Sequence, residues 1–175
     1  MIKILYFDTS AIIKYFVTEK GSKLIRWIVN NYFLHSLSLD TSQIALYEFK
    51  PTLKKKVKRG EISEVQMRRI IDKAKYYLPG VFRIGDFRPI PGFKSSKDTT
   101  YLEICKKYGL KIGKNSWDAR HLSYVINYLR CFGGISRPRF ITSDRKFIKI
   151  IKAEGYDVID PEKISIDDFL SIIEK

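Results

Sequence analysis

Cysteine and histidine are too scarce in this 175-residue chain to build a zinc site or a disulfide framework. Only Cys105, Cys131, His35 and His121 are present, and the two histidines stand in unrelated contexts. Cys105 falls on an apolar helical stripe, so reduced, packed thiols and an intracellular protein are expected. Apolar runs long enough to cross a membrane are missing. The apolar start from Ile2 to Phe7 is far too short for a signal peptide and ends at Asp8, so a soluble, cytoplasmic protein with no membrane partner is expected. Repeats and low-complexity segments are also lacking, and a 45% hydrophobic composition excludes wholesale disorder. Acidic residues are outnumbered, 19 against 33 Lys and Arg, leaving a net charge of +14. Such an excess favours polyanionic partners, because phosphates neutralised by cations release counterions. The plainer alternatives are a solvated basic surface or the lysine-rich composition of a thermophile.

What is present reads as strands alternating with helices. Ile2–Phe7 has the β-formers of a short buried strand, followed by helices over Ala11–Phe16 and from Ser22 through Ile28. A strand is expected near Leu34–Leu39. Thr41 and Ser42 offer an N-cap for a helix holding Glu48, which Pro51 should kink or restart. Ser63–Gln66 fits a capping box before a helix over Met67–Leu78. Residues 80–97, with three prolines just before or within them, read as a long loop around a strand at Val81–Ile84. Asp98 is expected to cap a helix ending at Gly109, and Asn115–Ser116 to open one running through Leu129. Strand, helix and strand follow at Arg139–Thr142, Lys146–Glu154 and Tyr156–Ile159, with Ser165 capping a last helix. This alternation implies one α/β domain spanning 1–175 with a mainly parallel sheet. Ligands of such sheets bind beyond the carboxyl ends of the strands. Asp8 and Asp144 each directly follow a β-rich run.

An aspartate after a strand is often only an N-cap. Two further acids make the pattern more informative. Glu48 sits among Ile44, Ala45, Leu46, Tyr47 and Phe49, and Asp118 precedes an apolar stripe of Leu122, Val125 and Ile126. The four segments Phe7-Asp8-Thr9-Ser10-Ala11, Ala45-Leu-Tyr-Glu48, Trp117-Asp118-Ala-Arg-His-Leu122 and Ile141-Thr-Ser-Asp144-Arg-Lys-Phe147 resemble the four acidic motifs of PIN domains. The resemblance is closest to the VapC-type toxins of toxin–antitoxin pairs, and runs in order from Ile2 to about Pro161. It implies a three-layer PIN fold with a central sheet flanked by helices. It also implies endoribonuclease activity dependent on Mg²⁺ or Mn²⁺, homodimerisation and a cognate antitoxin. By the same resemblance Asp8 and Asp118 are the principal metal ligands, and Glu48 and Asp144 complete the acidic pocket. Ser10 and Thr142 would orient that shell, or serve simply as local caps.

The chemistry of the residues is compatible with that resemblance. Converging carboxylates stay ionised together only beside a cation, or else some are protonated. Oxygen ligands suit Mg²⁺ or Mn²⁺, which can acidify a bound water and hold a scissile phosphate. Two intervals are longer than in compact members of the family, one holding residues 80–97 and the other residues 131–138. Both read as surface insertions.

Lys54–Lys56, Lys58 and Arg59 form one basic stretch, and Arg137, Arg139, Arg145, Lys146 and Lys149 another. Lys55, Arg59, Arg145 and Lys146 are the candidate RNA contacts, against the alternative of solvated faces. Tyr47 and Trp117 are candidates for base stacking, although such aromatics are more often core. Gly109–Ser116 is not a P-loop: it has one residue too few between its glycines and follows a helix. Two rival functions remain, an RNA-processing PIN nuclease without an antitoxin and a non-catalytic RNA-binding module of the same fold.

Overall fold

The computed structural model describes residues 3–85, 99–113, 116–131 and 137–174. Five strands, β1 (Lys3–Phe7), β2 (Leu37–Ser42), β3 (Arg83–Gly85), β4 (Arg139–Ile141) and β5 (Val158–Ile159), form one sheet. Their order is β3-β2-β1-β4-β5, and every pairing is parallel. The α-helices among the described residues are α1 (Thr9–Phe16), α2 (Ser22–Asn31), α3 (Gln43–Lys58), α4 (Glu64–Val81), α5 (Thr99–Lys107), α6 (Trp117–Cys131), α7 (Arg145–Ala153) and α8 (Ile166–Glu174).

Side chains alternate across a strand, and here the alternation separates two cores. Leu5 and Phe7 of β1 and Ile141 of β4 face a layer made with α1–α4 and α8, through residues such as Ile12, Ile25, Leu53, Leu78 and Phe169. Tyr6 and Phe140, one step out of phase, face α5–α7 through Ile104, Cys105, Leu122, Phe147 and Ile151. The result is the three-layer architecture with helices on both faces of a parallel sheet. The buried Cys105 belongs to the second core, as expected of a packed thiol.

Pro51 lies inside α3 and does not end it. The amide that proline lacks would have bonded the Tyr47 carbonyl one turn back, and both residues lie on the exposed side of the helix. Water can serve that carbonyl, so the helix runs on. Pro79 likewise falls within α4, which continues to Val81, and the strand expected at Val81–Ile84 begins at Arg83. The strand expected at Leu34–Leu39 is displaced: Tyr32–His35 form a 3-10 turn, and β2 runs from Leu37 to Ser42. Thr41 and Ser42 therefore end a strand. Ser42 occupies the N-cap position of α3 but makes no side-chain cap bond, because its hydroxyl is hydrogen-bonded to Tyr6.

Other local signals match the structure. Gly109 adopts φ +61°, and Leu110 N–H reaches back to the Cys105 carbonyl, so the residue closes α5 as a left-handed C-terminal cap. The Ser63 hydroxyl accepts from Gln66 N–H while the Gln66 side chain accepts from Ser63 N–H, a reciprocal capping box. Ser63→Ala should lower stability by about 1 kcal/mol, and thermal unfolding would measure the loss. Asp98, Asn115 and most of the 80–97 and 131–138 segments lie outside the described residues. Lys14, on the otherwise apolar α1, is 4% exposed and pairs with Glu19 at 3.0 Å and Glu162 at 2.7 Å. This buried charge is compensated and ties α1 to the segment after β5.

Candidate active site

The strand order reverses between β1 and β4, and the crevice beyond their carboxyl ends is where such sheets bind ligands. Asp8 stands there, one residue past β1, its N–H donating to the Ile141 carbonyl of β4. Its carboxylate caps α1 by accepting from Ala11 N–H at 2.8 Å. It also accepts from Ser10 Oγ at 2.9 and 3.0 Å and from Thr142 Oγ1 at 2.7 Å. Asp8 is thus a helix cap and a site residue at once. It is 6% exposed. Burial pushes its pKa from 3.8 up to about 6, against the lowering effect of Thr142, Ala11, His121 and Ser10.

Asp118 lies in the first turn of α6, half-buried beside the apolar second core. Burial is again the main cause of a raised pKa, here about 7 from 3.8, and the charges of Asp144, Asp8 and Glu48 add to it in that order. Charge on His121 acts in the opposite direction. Among the described residues, no group donates a hydrogen bond to the Asp118 carboxylate. Its environment is set by burial and by three other acids.

Glu48, one turn before Pro51, accepts from Thr9 Oγ1 at 2.5 Å and lies 3.5 Å from His121 Nε2. Asp144 follows β4 by three positions and caps α7, accepting from Lys146 N–H at 2.8 Å and Phe147 N–H at 3.1 Å. Its own N–H donates to Thr142 Oγ1, so one threonine hydroxyl links Asp8 to Asp144. The structure therefore gathers all four acids into one electrostatic neighbourhood centred on Asp118. Among the described residues, no three His, Cys, Asp or Glu side chains are drawn together into a group ready to hold an ion. The bonding explains the spread: Asp144 leans on its helix terminus and Glu48 on Thr9, directions that also separate like charges.

The basic candidates divide. Arg145 and Lys146 are exposed in the first turn of α7, next to Asp144. Lys55 and Arg59 are exposed near the far end of α3, and Arg59 lies 3.6 Å from Glu61. Lys56 between them is paired with Glu19 and Glu61. Because Glu48 meets the start of α1 and Lys56 meets Glu19 beyond its end, Lys55 and Arg59 stand about 10–17 Å along α3 from the acids. Tyr47 is exposed, while Trp117 is half-buried with the Arg120 guanidinium 6.0 Å from its ring.

Four residues that the sequence does not single out as site residues stand at the site: Tyr6, Thr9, Ser42 and His121. The one available signal was the spacing of His121, three residues after Asp118 and so on the same face of a helix. Tyr6, Thr9 and Ser42 had none.

No family model matches the chain, and no curated protein matches it. Solved structures do. A chain of VapBC2 from Rickettsia felis, solved bound to a DNA fragment from its promoter, superposes with a TM-score of 0.53 at 18% identity, covering 89% of this chain and 97% of that one. PAE2754 from Pyrobaculum aerophilum gives 0.53 at 18% identity, covering 99% of this chain and 91% of that one. The chain thus has the fold of VapC-type PIN domains. Among the described residues, no helix is long and apolar enough to cross a membrane.

Proposed function

We propose that the chain is a divalent-metal-dependent endoribonuclease, and that it acts as the toxin of a toxin–antitoxin pair. The observation that carries the nuclease reading is the environment of Asp118, a partly buried carboxylate crowded by Asp144, Asp8 and Glu48 with no hydrogen-bond donor of its own among the described residues. Uncompensated negative charge of this kind is relieved by a cation. The donor set is all oxygen, which fits Mg²⁺ or Mn²⁺ better than zinc. Asp8 and Asp118 would hold the ion, with Glu48 and Asp144 completing the shell directly or through water. When bound, the ion supplies Lewis acidity and positive charge against a scissile phosphodiester.

The protein's own groups prepare that site. Ser10 and Thr142 each donate to Asp8, leaving its carboxylate few orientations to explore. Thr142 also receives the Asp144 N–H, which couples the ends of β1 and β4. Arg145 and Lys146, exposed beside Asp144, would contact RNA phosphates, and the +14 net charge favours the encounter. Lys55 and Arg59 extend the basic surface farther from the acids. The antitoxin reading rests on fold similarity to VapBC2, a toxin–antitoxin complex. A small gene directly upstream, encoding a DNA-binding protein with a basic and aromatic tail, would support it. A homodimer and a cytoplasmic location belong to the same reading.

The test of the nuclease is reversible metal dependence. Purified protein incubated with a mixed RNA pool should cleave with Mn²⁺, stop with EDTA and resume when Mn²⁺ is restored in excess. Cleavage indifferent to EDTA would sink this mechanism.

A further inference from the structure

Beside the acids lies a buried hydrogen-bonded chain that the proposed chemistry does not use. The Tyr6 hydroxyl, at the centre of the sheet, is hydrogen-bonded to Ser42 Oγ at 2.9 Å and to His121 Nδ1 at 2.7 Å. His121 is 1% exposed, packed edge-on to the Tyr6 ring and against Phe147. Its other nitrogen, Nε2, lies 3.5 Å from both Thr9 Oγ1 and Glu48 Oε2. The Thr9 hydroxyl already donates to Glu48.

A buried imidazole needs partners at both nitrogens, and a carboxylate offers only acceptors. Because the Thr9 hydroxyl gives its hydrogen to Glu48 and a carboxylate only accepts, Nε2 carries the hydrogen and points it at the Thr9–Glu48 pair. Of the three acids that accept hydrogen bonds, Glu48 is held least by its own helix. Asp8 and Asp144 are short side chains locked onto helix termini, whereas a glutamate carries an extra torsion and projects from the middle of α3. His121 has one nitrogen on the Tyr6 hydroxyl and the other on the Thr9–Glu48 pair, so its second contact reaches a member of the acid cluster.

We propose that His121 is a positioning residue, anchored by Tyr6 through Nδ1 and aiming Glu48 through Nε2. The inference rests on the reading of the four acids as a metal site. Asparagine and glutamine separate the two ring nitrogens, because an asparagine amide reaches roughly as far as Nδ1 and a glutamine amide roughly as far as Nε2.

The experiment is a Mn²⁺ titration by calorimetry on the wild type, His121→Asn, His121→Gln, Glu48→Gln and the double variant His121→Asn/Glu48→Gln, with RNA cleavage measured alongside. His121→Asn should weaken Mn²⁺ binding about 10-fold and lower kcat with KM for RNA nearly unchanged. His121→Gln should stay within about 3-fold of the wild type. In the Glu48→Gln background, His121→Asn should add no further loss, since the histidine acts through that carboxylate. Tyr6→Phe, which removes only the anchoring hydroxyl, should shift Mn²⁺ affinity in the same direction and serves where His121→Asn unfolds. Equal losses in the asparagine and glutamine variants, or additive losses with Glu48→Gln, would overturn the proposal while leaving the metal site standing. A wild type that binds no Mn²⁺ would overturn both.

Discussion

Asp118→Asn is expected to reduce RNA cleavage at least about 10²-fold while leaving the metal-free protein as stable as the wild type, or more so. Loss of activity follows from removing a proposed principal ligand, a larger change than losing a residue that only orients one. The gain in stability has a separate origin. At pH 8 the folded protein holds Asp118 ionised although its pKa is pushed up to about 7. Relative to a solvated aspartate, that penalty has an upper limit on the order of 4 kcal/mol. Asparagine removes the charge but buries an amide in its place, so only part is recovered. Asp8→Asn should reduce cleavage equally and relieve a smaller penalty, because the Asp8 pKa is pushed only to about 6 and asparagine keeps the helix cap. The Ser10 and Thr142 hydroxyls can turn to meet its amide. Cleavage rates with Mn²⁺, beside thermal unfolding in EDTA, separate the two variants. An Asp118→Asn protein that cleaves normally, or one as destabilised as a core truncation, would contradict the assignment.

The metal-free protein should lose stability as pH rises from about 4 to about 7, and Mn²⁺ should restore it. Both Asp8, at about 6, and Asp118, at about 7, have folded pKa values raised above the unfolded 3.8. Below pH 4 both states are protonated and neither acid matters. Between pH 4 and 7 the unfolded chain has released protons that the folded chain retains, so unfolding is favoured progressively. Above pH 7 the effect saturates. Asp8 itself acts on Asp118 and both feel His121, so the two acids titrate together and the combined loss is on the order of 3–5 kcal/mol rather than a sum. The depressed acids Glu61, Glu154, Glu162 and Asp168 act with the opposite sign, but their contribution is complete once pH exceeds the ordinary carboxylate range. Thermal midpoints at pH 5 and pH 8 in EDTA should show the decline. Saturating Mn²⁺ should flatten it, because a ligand that binds only the folded state stabilises it by mass action. A midpoint that rises across that range in EDTA would overturn the picture of crowded acids.

Periodicity and punctuation carried most of the fold. The short β-rich runs, the Ser63 capping box and the left-handed Gly109 are local features, decided by a few neighbouring residues, and they stand where the sequence places them. Signals that depend on what a side chain meets in space are the ones that packing overrides. Pro51 reads as a kink or a restart, and no new helix starts there because its missing bond falls on the wet side of α3. Thr41 and Ser42 looked like a cap because both are good capping residues, yet the Thr41 hydroxyl donates to the Phe7 carbonyl and Ser42 is held by Tyr6. Lys56 looked like part of a free basic stretch and is paired with two glutamates from other segments.

The same division runs through the site. Sequence alone determined which four acids are the candidates and that two of them follow strands, because that information lies in residue type and chain order. Only the tertiary structure decided that Asp8 and Asp144 share Thr142, and that Asp118 is the acid most crowded by the others. It also turned His121 from a stray histidine into a neighbour of Glu48. Those facts arise where β1, β4, α3 and α6 converge, and contacts between residues tens of positions apart depend on packing that no local pattern encodes.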